Sequence, residues 1–324
     1  MPIYLRLLES CHRESKYPAM ASLSHRQAWS LAVLFLILPC FLSAGVDSST
    51  PEITYRTSTS EVRVTFFATD QNDRLMQTID QNDFAVVDGE TIIRDFRSLL
   101  RSDETRLDIV LLVDVSESVA PRFHAITEQV LRLISQKLPS DDLSIITFAG
   151  LRPALLCASD CSRELTKHRI RSMTPTGATP LFDGLAFAAR YLASRRSPGV
   201  RPVMILLSDG NDTVSAISAR QALTAVFGAA ALLYTVNPGK RADDVRGTRM
   251  LQEMAEATGG RSFSAEEDAA SVLEAAIADL HASYIVTYQL PSRAAGFHSL
   301  RILPKRNLNL RFHCRRGYFY DQDR

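Results

Sequence analysis

The sequence predicts an α/β fold with a doubly wound parallel sheet, flanked by a β-sandwich-like unit. Two features indicate the α/β part: between residues 106 and 282, apolar strand-like runs alternate with amphipathic helical patterns. Such alternation is typical of βαβ units. Short strands of period two precede this region, over 45–105, and follow it, over 283–324, which is typical of antiparallel sheets with one buried face. A length of 324 residues suits about two such domains.

The central region begins with a nearly continuous apolar run, Leu107–Val113, which suits a strand buried on both faces of a parallel sheet. The helix predicted after it has one apolar face at a spacing of 3.6 residues, formed by Phe123, Ile126, Val130, Leu133, Ile134 and Leu138. Further strands are predicted over 143–148, 203–207, 230–236 and 261–263, and further helices over 181–193, 216–227, 248–257 and 269–281.

The flanking segments have strand patterns. Val62, Val64 and Phe66 alternate with polar residues, and a hairpin turn is predicted at Asp88-Gly89. Strands are also predicted over 84–87, 91–96, 284–290, 298–303 and 308–314. Because domain termini often lie close together, we predict that the segments 45–105 and 283–324 pair into one β-sandwich, with the α/β domain inserted between them.

The first 44 residues resemble an export signal. Leu31–Leu42 is an apolar run preceded by Arg26 and followed by the small residues Ser43 and Ala44. The run is too short for the ~20 residues that span a bilayer, whereas a basic flank, a short apolar core and a small-residue exit describe a secretory signal peptide. We expect cleavage after Ala44 and a secreted, periplasmic or cell-envelope protein. Two alternatives stay open: translation from Met20, and an uncleaved signal that anchors the chain.

Charge and cysteine content narrow the function classes. The net charge is +1, and it becomes −1 without residues 1–44. Neither value suits a nucleic-acid-binding protein, which needs a basic face, or a disordered polyelectrolyte.

An exported chain permits a disulfide between Cys157 and Cys161, while Cys314 is expected as a buried free thiol. The only tryptophan, Trp29, lies in the export segment.

Oxygen-bearing side chains follow two predicted parallel strands. Asp114-x-Ser116-x-Ser118 follows the first, Asp209-Gly210 follows the strand over 203–207, and Thr179 lies in a loop between them. Because ligands of open α/β sheets bind outside the carboxyl ends of the strands, we expect one site formed by Asp114, Ser116, Ser118, Thr179 and Asp209. Oxygen ligands favour Mg²⁺, Ca²⁺ or Mn²⁺ over softer metals.

This set of residues resembles the metal-ion-dependent adhesion site (MIDAS) of von Willebrand factor type A domains. The resemblance covers residues 106–282 and implies a Rossmann-like domain with a divalent cation, most often Mg²⁺. It implies hydroxyl ligands at Ser116, Ser118 and Thr179, with Asp114 and Asp209 bound directly or through water. The loop reads Gly177-Ala178-Thr179 where the family often has Gly-Gly-Thr. Outside the domain, Phe84–Gly89 and Cys314–Phe319 resemble exported bacterial VWFA-related proteins of the acidobacterial type.

The resemblance implies a non-enzymatic module that recognises a protein partner through an acidic side chain completing the cation's shell. Two alternatives remain: a structural or assembly subunit in which the metal only stabilises the loops, and a metal-dependent hydrolase. The sequence contains no Gly-x-Ser-x-Gly, no His-Glu-x-x-His and no P-loop motif. A simpler interpretation of Ser116 and Ser118 is that they cap the following helix.

Overall fold

The structure is a computed structural model that describes residues 61–102, 106–135, 142–158, 161–197, 199–239, 245–264, 274 and 277–320. The chain divides into two compact units, Met1–Arg56 and Thr57–Arg324, and the described residues belong to the second. The predicted export signal therefore lies outside the described residues. Within the described ranges, no helix is long and apolar enough to cross a membrane.

A six-stranded sheet forms the centre of the α/β domain, with strand order β10-β9-β8-β5-β6-β7. Five strands are parallel and β7, at one edge, is antiparallel to β6. The strands are β5 (Arg106–Asp114), β6 (Asp142–Ala149), β7 (Arg152–Cys157), β8 (Val200–Leu207), β9 (Leu232–Asn237) and β10 (Ser262–Ser264).

Helices cover both faces of this sheet. They are α1 (Phe123–Ser135), α2 (Glu164–Arg171), α3 (Leu181–Ser194), α4 (Ala219–Gly228) and α5 (Val245–Thr258), and residues 277–281 are also helical. Alternate residues of β5 enter two cores: Ile109 and Leu111 pack with α1, while Val110 and Leu112 pack with α3, α4 and α5. A strand with a core on each face must be apolar along its length, which explains the run that predicted it.

The flanking segments form two four-stranded antiparallel sheets, β13-β1-β11-β4 and β14-β12-β2-β3. Their strands are β1 (Glu61–Thr69), β2 (Phe84–Asp88), β3 (Thr91–Ile93), β4 (Ser98–Arg101), β11 (Tyr284–Gln289), β12 (Gly296–Pro304), β13 (Arg311–Cys314) and β14 (Gly317–Tyr320). β1 pairs with both β11 and β13, and β2 pairs with β12. The strands before and after the α/β domain therefore pair with each other, as predicted, around a common core that includes Val64, Phe66, Val286 and Leu300.

The sequence missed four short elements: β4, β7, α2 and β14. β7 has only one buried residue, Leu156, because it is an edge strand and its pattern is not periodic. α2 is polar, with only Thr166 and Ile170 buried, so it lacks the apolar stripe that predicts a helix. The predicted start of α4 was three residues early, because Ser218 forms a capping box with Gln221 and the helix begins after it.

The structure confirms the predicted disulfide and the predicted free thiol among the cysteines that it describes. Cys157 and Cys161 form a disulfide with a Cα–Cα distance of 5.7 Å. Cys314 is a buried free thiol in β13.

Candidate metal centre

The candidate residues lie at the carboxyl edge of the parallel sheet. Asp114 is the last residue of β5, and Asp209 follows the end of β8, its neighbour in the sheet. Thr179 precedes α3, in the loop between α2 and α3. Adjacent parallel strands end at the same edge, so the topology alone brings the two acidic residues together.

Four of the five predicted side chains form one hydrogen-bonded cluster. Ser116 donates from Oγ to Asp114 Oδ1 at 2.6 Å, and its backbone N–H donates to the same oxygen at 2.9 Å. Thr179 Oγ1 donates to Ser116 Oγ at 2.8 Å. Ser118 Oγ lies 3.0 Å from Ser116 Oγ and 3.4 Å from Thr179 Oγ1. The Asp-x-Ser-x-Ser spacing therefore does direct these side chains to one point.

The three hydroxyl oxygens form a nearly regular triangle with sides of 2.8, 3.0 and 3.4 Å. In an octahedral Mg²⁺ shell with Mg–O distances of ~2.1 Å, neighbouring ligand oxygens lie about 3.0 Å apart. Ser116, Ser118 and Thr179 are thus spaced like one face of such an octahedron. The spacing of the hydroxyl oxygens suits a small divalent cation, which the lone pairs would face once the hydroxyl hydrogens turn away from the triangle.

Asp114 is a fully buried acid. Its Oδ2 accepts a hydrogen bond from Ser208 Oγ at 2.7 Å, so both carboxylate oxygens are engaged. Burial raises the pKa of Asp114 to about 6, the nearby Asp209 carboxylate adds to this rise, and the hydrogen bonds from Ser116 and Ser208 oppose it. A divalent cation would supply the positive charge that this buried carboxylate lacks.

Asp209 stands at the edge of the cluster. It is 6% exposed, and its Oδ1 accepts the backbone N–H of Asn211 at 3.1 Å. The structure places it near enough to Asp114 for the two charges to interact, but it shares no hydrogen bond with the hydroxyl cluster among the described residues. The structure therefore brings four candidates into contact and holds the fifth beside them.

Two positioning residues were not predicted. Ser208 holds Asp114 and accepts the N–H of Gly210 at 3.1 Å. Thr213 holds Thr179: its Oγ1 accepts the Thr179 N–H at 2.8 Å, and its own N–H donates to the Thr179 carbonyl at 2.9 Å. The sequence signal for both was their position within four residues of Asp209, on the loop that already carried a candidate ligand.

The loop before Thr179 is built around Gly177. This residue has φ = +79°, and a Cβ there would lie 3.3 Å from the backbone of Gly150. Ala178 has no positive φ, so replacing the second glycine of the family pattern by alanine is compatible with this loop. The Glu117 N–H donates to the Gly177 carbonyl, joining this loop to the one after β5.

The capping interpretation of Ser116 is wrong in this structure. A 3₁₀ turn, Glu117–Arg122, separates Ser116 from α1. Ser116 is the N-cap residue of that turn, but its side chain makes no capping hydrogen bond and instead lies in the hydroxyl cluster. The side chain is thus directed at the candidate site.

The donor set has few charged groups. Within the described ranges, no group of three or more His, Cys, Asp or Glu side chains is arranged to hold a metal. A site of two acids and three hydroxyls is not such a group, and its hard oxygens suit Mg²⁺, Mn²⁺ or Ca²⁺. The five residues fit a divalent cation by their oxygen chemistry, and the three hydroxyls also fit it by their spacing.

Comparison with known proteins places this region in a family. The family model for the von Willebrand factor type A domain matches residues 109–211, which include all five candidate residues. An uncharacterized protein of Mycobacterium tuberculosis, Rv2850c, is 29% identical over 140 residues, or 41% of this chain and 22% of that protein. The 60 kDa subunit of magnesium chelatase from Rhodobacter capsulatus is 32% identical over 75 residues, or 23% of this chain and 13% of that protein.

The chain thus spans less than a quarter of the length of these curated relatives. Among solved structures, proximal thread matrix protein 1 from the mussel byssus, described with a zinc-occupied MIDAS motif, is 17% identical with a TM-score of 0.43. The superposition covers 59% of this chain and 49% of the mussel protein.

The family match and the doubly wound sheet agree over the same residues. β5 and β8, whose ends carry Asp114 and Asp209, lie within or at the border of the match. The chain carries a von Willebrand factor type A domain, placed between two segments that pair into antiparallel sheets.

Proposed function

We propose that this protein is an exported, non-enzymatic module that binds a divalent cation at the MIDAS-like centre and recognises a protein partner through that cation. The observation that carries the proposal is the triangle of hydroxyl oxygens from Ser116, Ser118 and Thr179, with sides of 2.8–3.4 Å, beside the buried carboxylate of Asp114.

Neutral hydroxyl ligands leave a divalent ion with most of its charge. When bound, the ion would act as an electrophile that accepts a carboxylate oxygen from an Asp or Glu of the partner in place of water. The chain's own residues would do the positioning: Ser208 orients Asp114, and Thr213 orients Thr179. Mg²⁺ is the expected ion, with Mn²⁺ and Ca²⁺ as candidates.

Export is the second part of the proposal. It is supported by the apolar segment Leu31–Leu42 with its basic flank, and the disulfide between Cys157 and Cys161 suits an oxidising compartment. Sequencing the N-terminus of the protein recovered from outside the cytoplasm tests it, and a chain that stays in the cytoplasm contradicts it.

Metal binding is tested by titrating Mg²⁺, Mn²⁺ and Ca²⁺ into the metal-free protein by calorimetry. Wild type should bind one ion, and Ser118→Ala should bind it at least tenfold more weakly because a ligand is lost. Ser194→Ala, an exposed serine at the end of α3, is the matched control and should bind as wild type does. Equal binding by Ser118→Ala would contradict the site.

Partner recognition is tested by affinity capture from the envelope fraction of the producing organism, with wild type and Ser118→Ala, in Mg²⁺ and in chelator. The proposal predicts a protein that wild type retains in Mg²⁺ and releases in chelator, and that Ser118→Ala does not retain. If the metal raises stability but no capture depends on it, the assembly-subunit alternative replaces the proposal. Chelator-sensitive hydrolysis of a captured protein would support the hydrolase alternative.

A further inference from the structure

A cavity of about 390 Å³ lies at the opposite edge of the parallel sheet from the metal centre. Its α/β wall includes Val200–Pro202 at the start of β8 and the loop after α4, and its other wall is the outer face of β1 and β11. β8 runs eight residues from this cavity to the metal-centre edge, which at ~3.3 Å per residue separates the two by roughly 25 Å. The cavity is therefore a separate feature of the fold.

The cavity is strongly basic. Four arginines line it, Arg63, Arg196, Arg201 and Arg315, against the single acid Glu61. Glu61 already forms an ion pair with Arg97 outside the cavity. The chain as a whole has a net charge of only +1, so this concentration of positive charge is local. None of the four arginines forms an ion pair within the described part of the chain.

Arg201 is buried and Arg315 is half-buried, and each has one buried N–H group without an acceptor among the described residues. Arg201 is 5% exposed; its Nη1 donates to the Leu280 carbonyl at 3.0 Å, and its Nη2 has no acceptor among the described residues. Arg315 donates from Nη2 to the Arg63 carbonyl at 2.9 Å, while its Nε has no acceptor in the same ranges. Burial lowers the pKa of Arg201 to about 10, and it also lowers that of Arg315.

A buried cation without a counterion is costly, and proteins normally pair it. Here the described hydrogen-bond partners of Arg201 and Arg315 are backbone carbonyls, and the Arg315 guanidinium lies 5.6 Å from the centre of the Tyr318 ring. Arg63 and Arg196 are exposed at the same cavity. Four arginines thus line one space, and the one acid in its described lining, Glu61, already pairs with Arg97.

We propose that this cavity binds a small organic anion with more than one negative charge, carried on phosphate or carboxylate groups. Guanidinium groups match both by paired N–H···O contacts. The volume lies in the range of small-molecule sites, about 300–1,000 Å³. The remaining walls, which include Phe227, Ile285 and Pro202, offer apolar contact to the body of the ligand.

The test uses the full chain, stripped of metal with chelator and then dialysed into metal-free buffer, so that neither the metal centre nor the chelator's own carboxylates play a part. It measures binding of inorganic pyrophosphate and of citrate by calorimetry and thermal shift. Either anion should bind and raise the melting temperature of wild type. Comparing the two shows whether phosphate or carboxylate is preferred. Chloride at the same ionic strength is the control for general screening.

Arg63→Ala and Arg196→Ala are the informative variants, because both side chains are exposed and their removal leaves the core intact. Each should weaken anion binding by about tenfold or more, the ordinary effect of losing a charge-assisted hydrogen bond. Arg301→Ala, an exposed arginine of β12 outside the cavity, should bind as wild type does.

Absence of binding by wild type to both anions overturns the proposal. So does an affinity that falls as much in Arg301→Ala as in Arg63→Ala and Arg196→Ala, since the anion would then follow general surface charge. Because the assay contains no divalent metal, either result leaves the metal-centre proposal untouched, and failure of the metal titration leaves this one untouched.

Discussion

Replacing Asp114 by Asn should stabilise the metal-free protein while abolishing its response to metal. Burial raises the pKa of Asp114 to about 6 from an ordinary 3.8. At about 1.4 kcal/mol per pKa unit, the charged form costs the folded state about 3 kcal/mol. Asn has the same shape and no charge, and Ser208 Oγ, which now donates to the carboxylate, can accept from the amide instead.

The sign of the pH dependence follows from the raised pKa. Between pH 3.8 and 6 the folded state binds more protons than the unfolded state, so wild-type stability falls as pH rises through this range. At pH 4 wild type and Asp114→Asn should therefore be similar. At pH 8, in chelator, the variant should unfold at higher denaturant, with a gain of up to about 3 kcal/mol, or roughly 6–12 °C in melting temperature for a chain of this size.

Metal should reverse this order. An ion at 1,000 times its dissociation constant stabilises the folded state by about 4.1 kcal/mol, which exceeds the cost of the buried charge, and only wild type should gain it. The assay is urea unfolding followed by circular dichroism at pH 4 and pH 8, with Mg²⁺ or chelator. Asp95→Asn, at an exposed acid in the loop between β3 and β4, is the control and should change neither quantity.

Two results would refute the reasoning. If Asp114→Asn is less stable than wild type at pH 8 in chelator, the buried charge is not the dominant cost at this position. If the variant keeps the metal-dependent gain, the carboxylate is not part of the metal centre.

Three further predictions concern stability and loop geometry. Wild type should lose stability as the pH falls from 6.5 to 4, because burial lowers the pKa of His313 to about 4 and only the unfolded chain takes up a proton in that window. His313→Gln should not show this loss. Gly210→Ala should cost more than about 3 kcal/mol, since its φ is +85° and a Cβ would lie 2.4 Å from the Gly247 carbonyl oxygen. Gly199→Ala, at φ = +76° with open space around it, should cost only about 1 kcal/mol. Ser118→Ala should change metal-free stability by less than about 1 kcal/mol.

Each of these has a clear contrary result. If the free energy of unfolding of His313→Gln falls as steeply as that of wild type between pH 6.5 and pH 4, the group that titrates is not His313. Equal melting temperatures for the two glycine variants would mean that the close approach to Gly247 does not matter. A large loss of stability in metal-free Ser118→Ala would give that serine a structural role.

Much of the metal centre could be predicted because its parts lie next to strong sequence signals. The apolar run before Asp114 marks a strand buried on both faces, and ligands of such sheets bind at the carboxyl ends of the strands. Ser208 and Thr213 could not be assigned in the same way, because Ser and Thr are common in turns and only the folded loops show which hydroxyl contacts Asp114 and which contacts Thr179.

By itself, the sequence determined the α/β class, the order of its main strands and helices, the pairing expected between the flanking β segments, and the five candidate ligands, because each depends on local periodicity or on residues adjacent to a strand end. Tertiary structure alone decided the spacing of the hydroxyl oxygens and the arginine cavity. Arg63, Arg196, Arg201 and Arg315 are spread over some 250 positions, and each is unremarkable in its own segment. They meet only because β1 and the turn after β13 pack against the amino ends of the parallel strands, a long-range contact that no local pattern encodes.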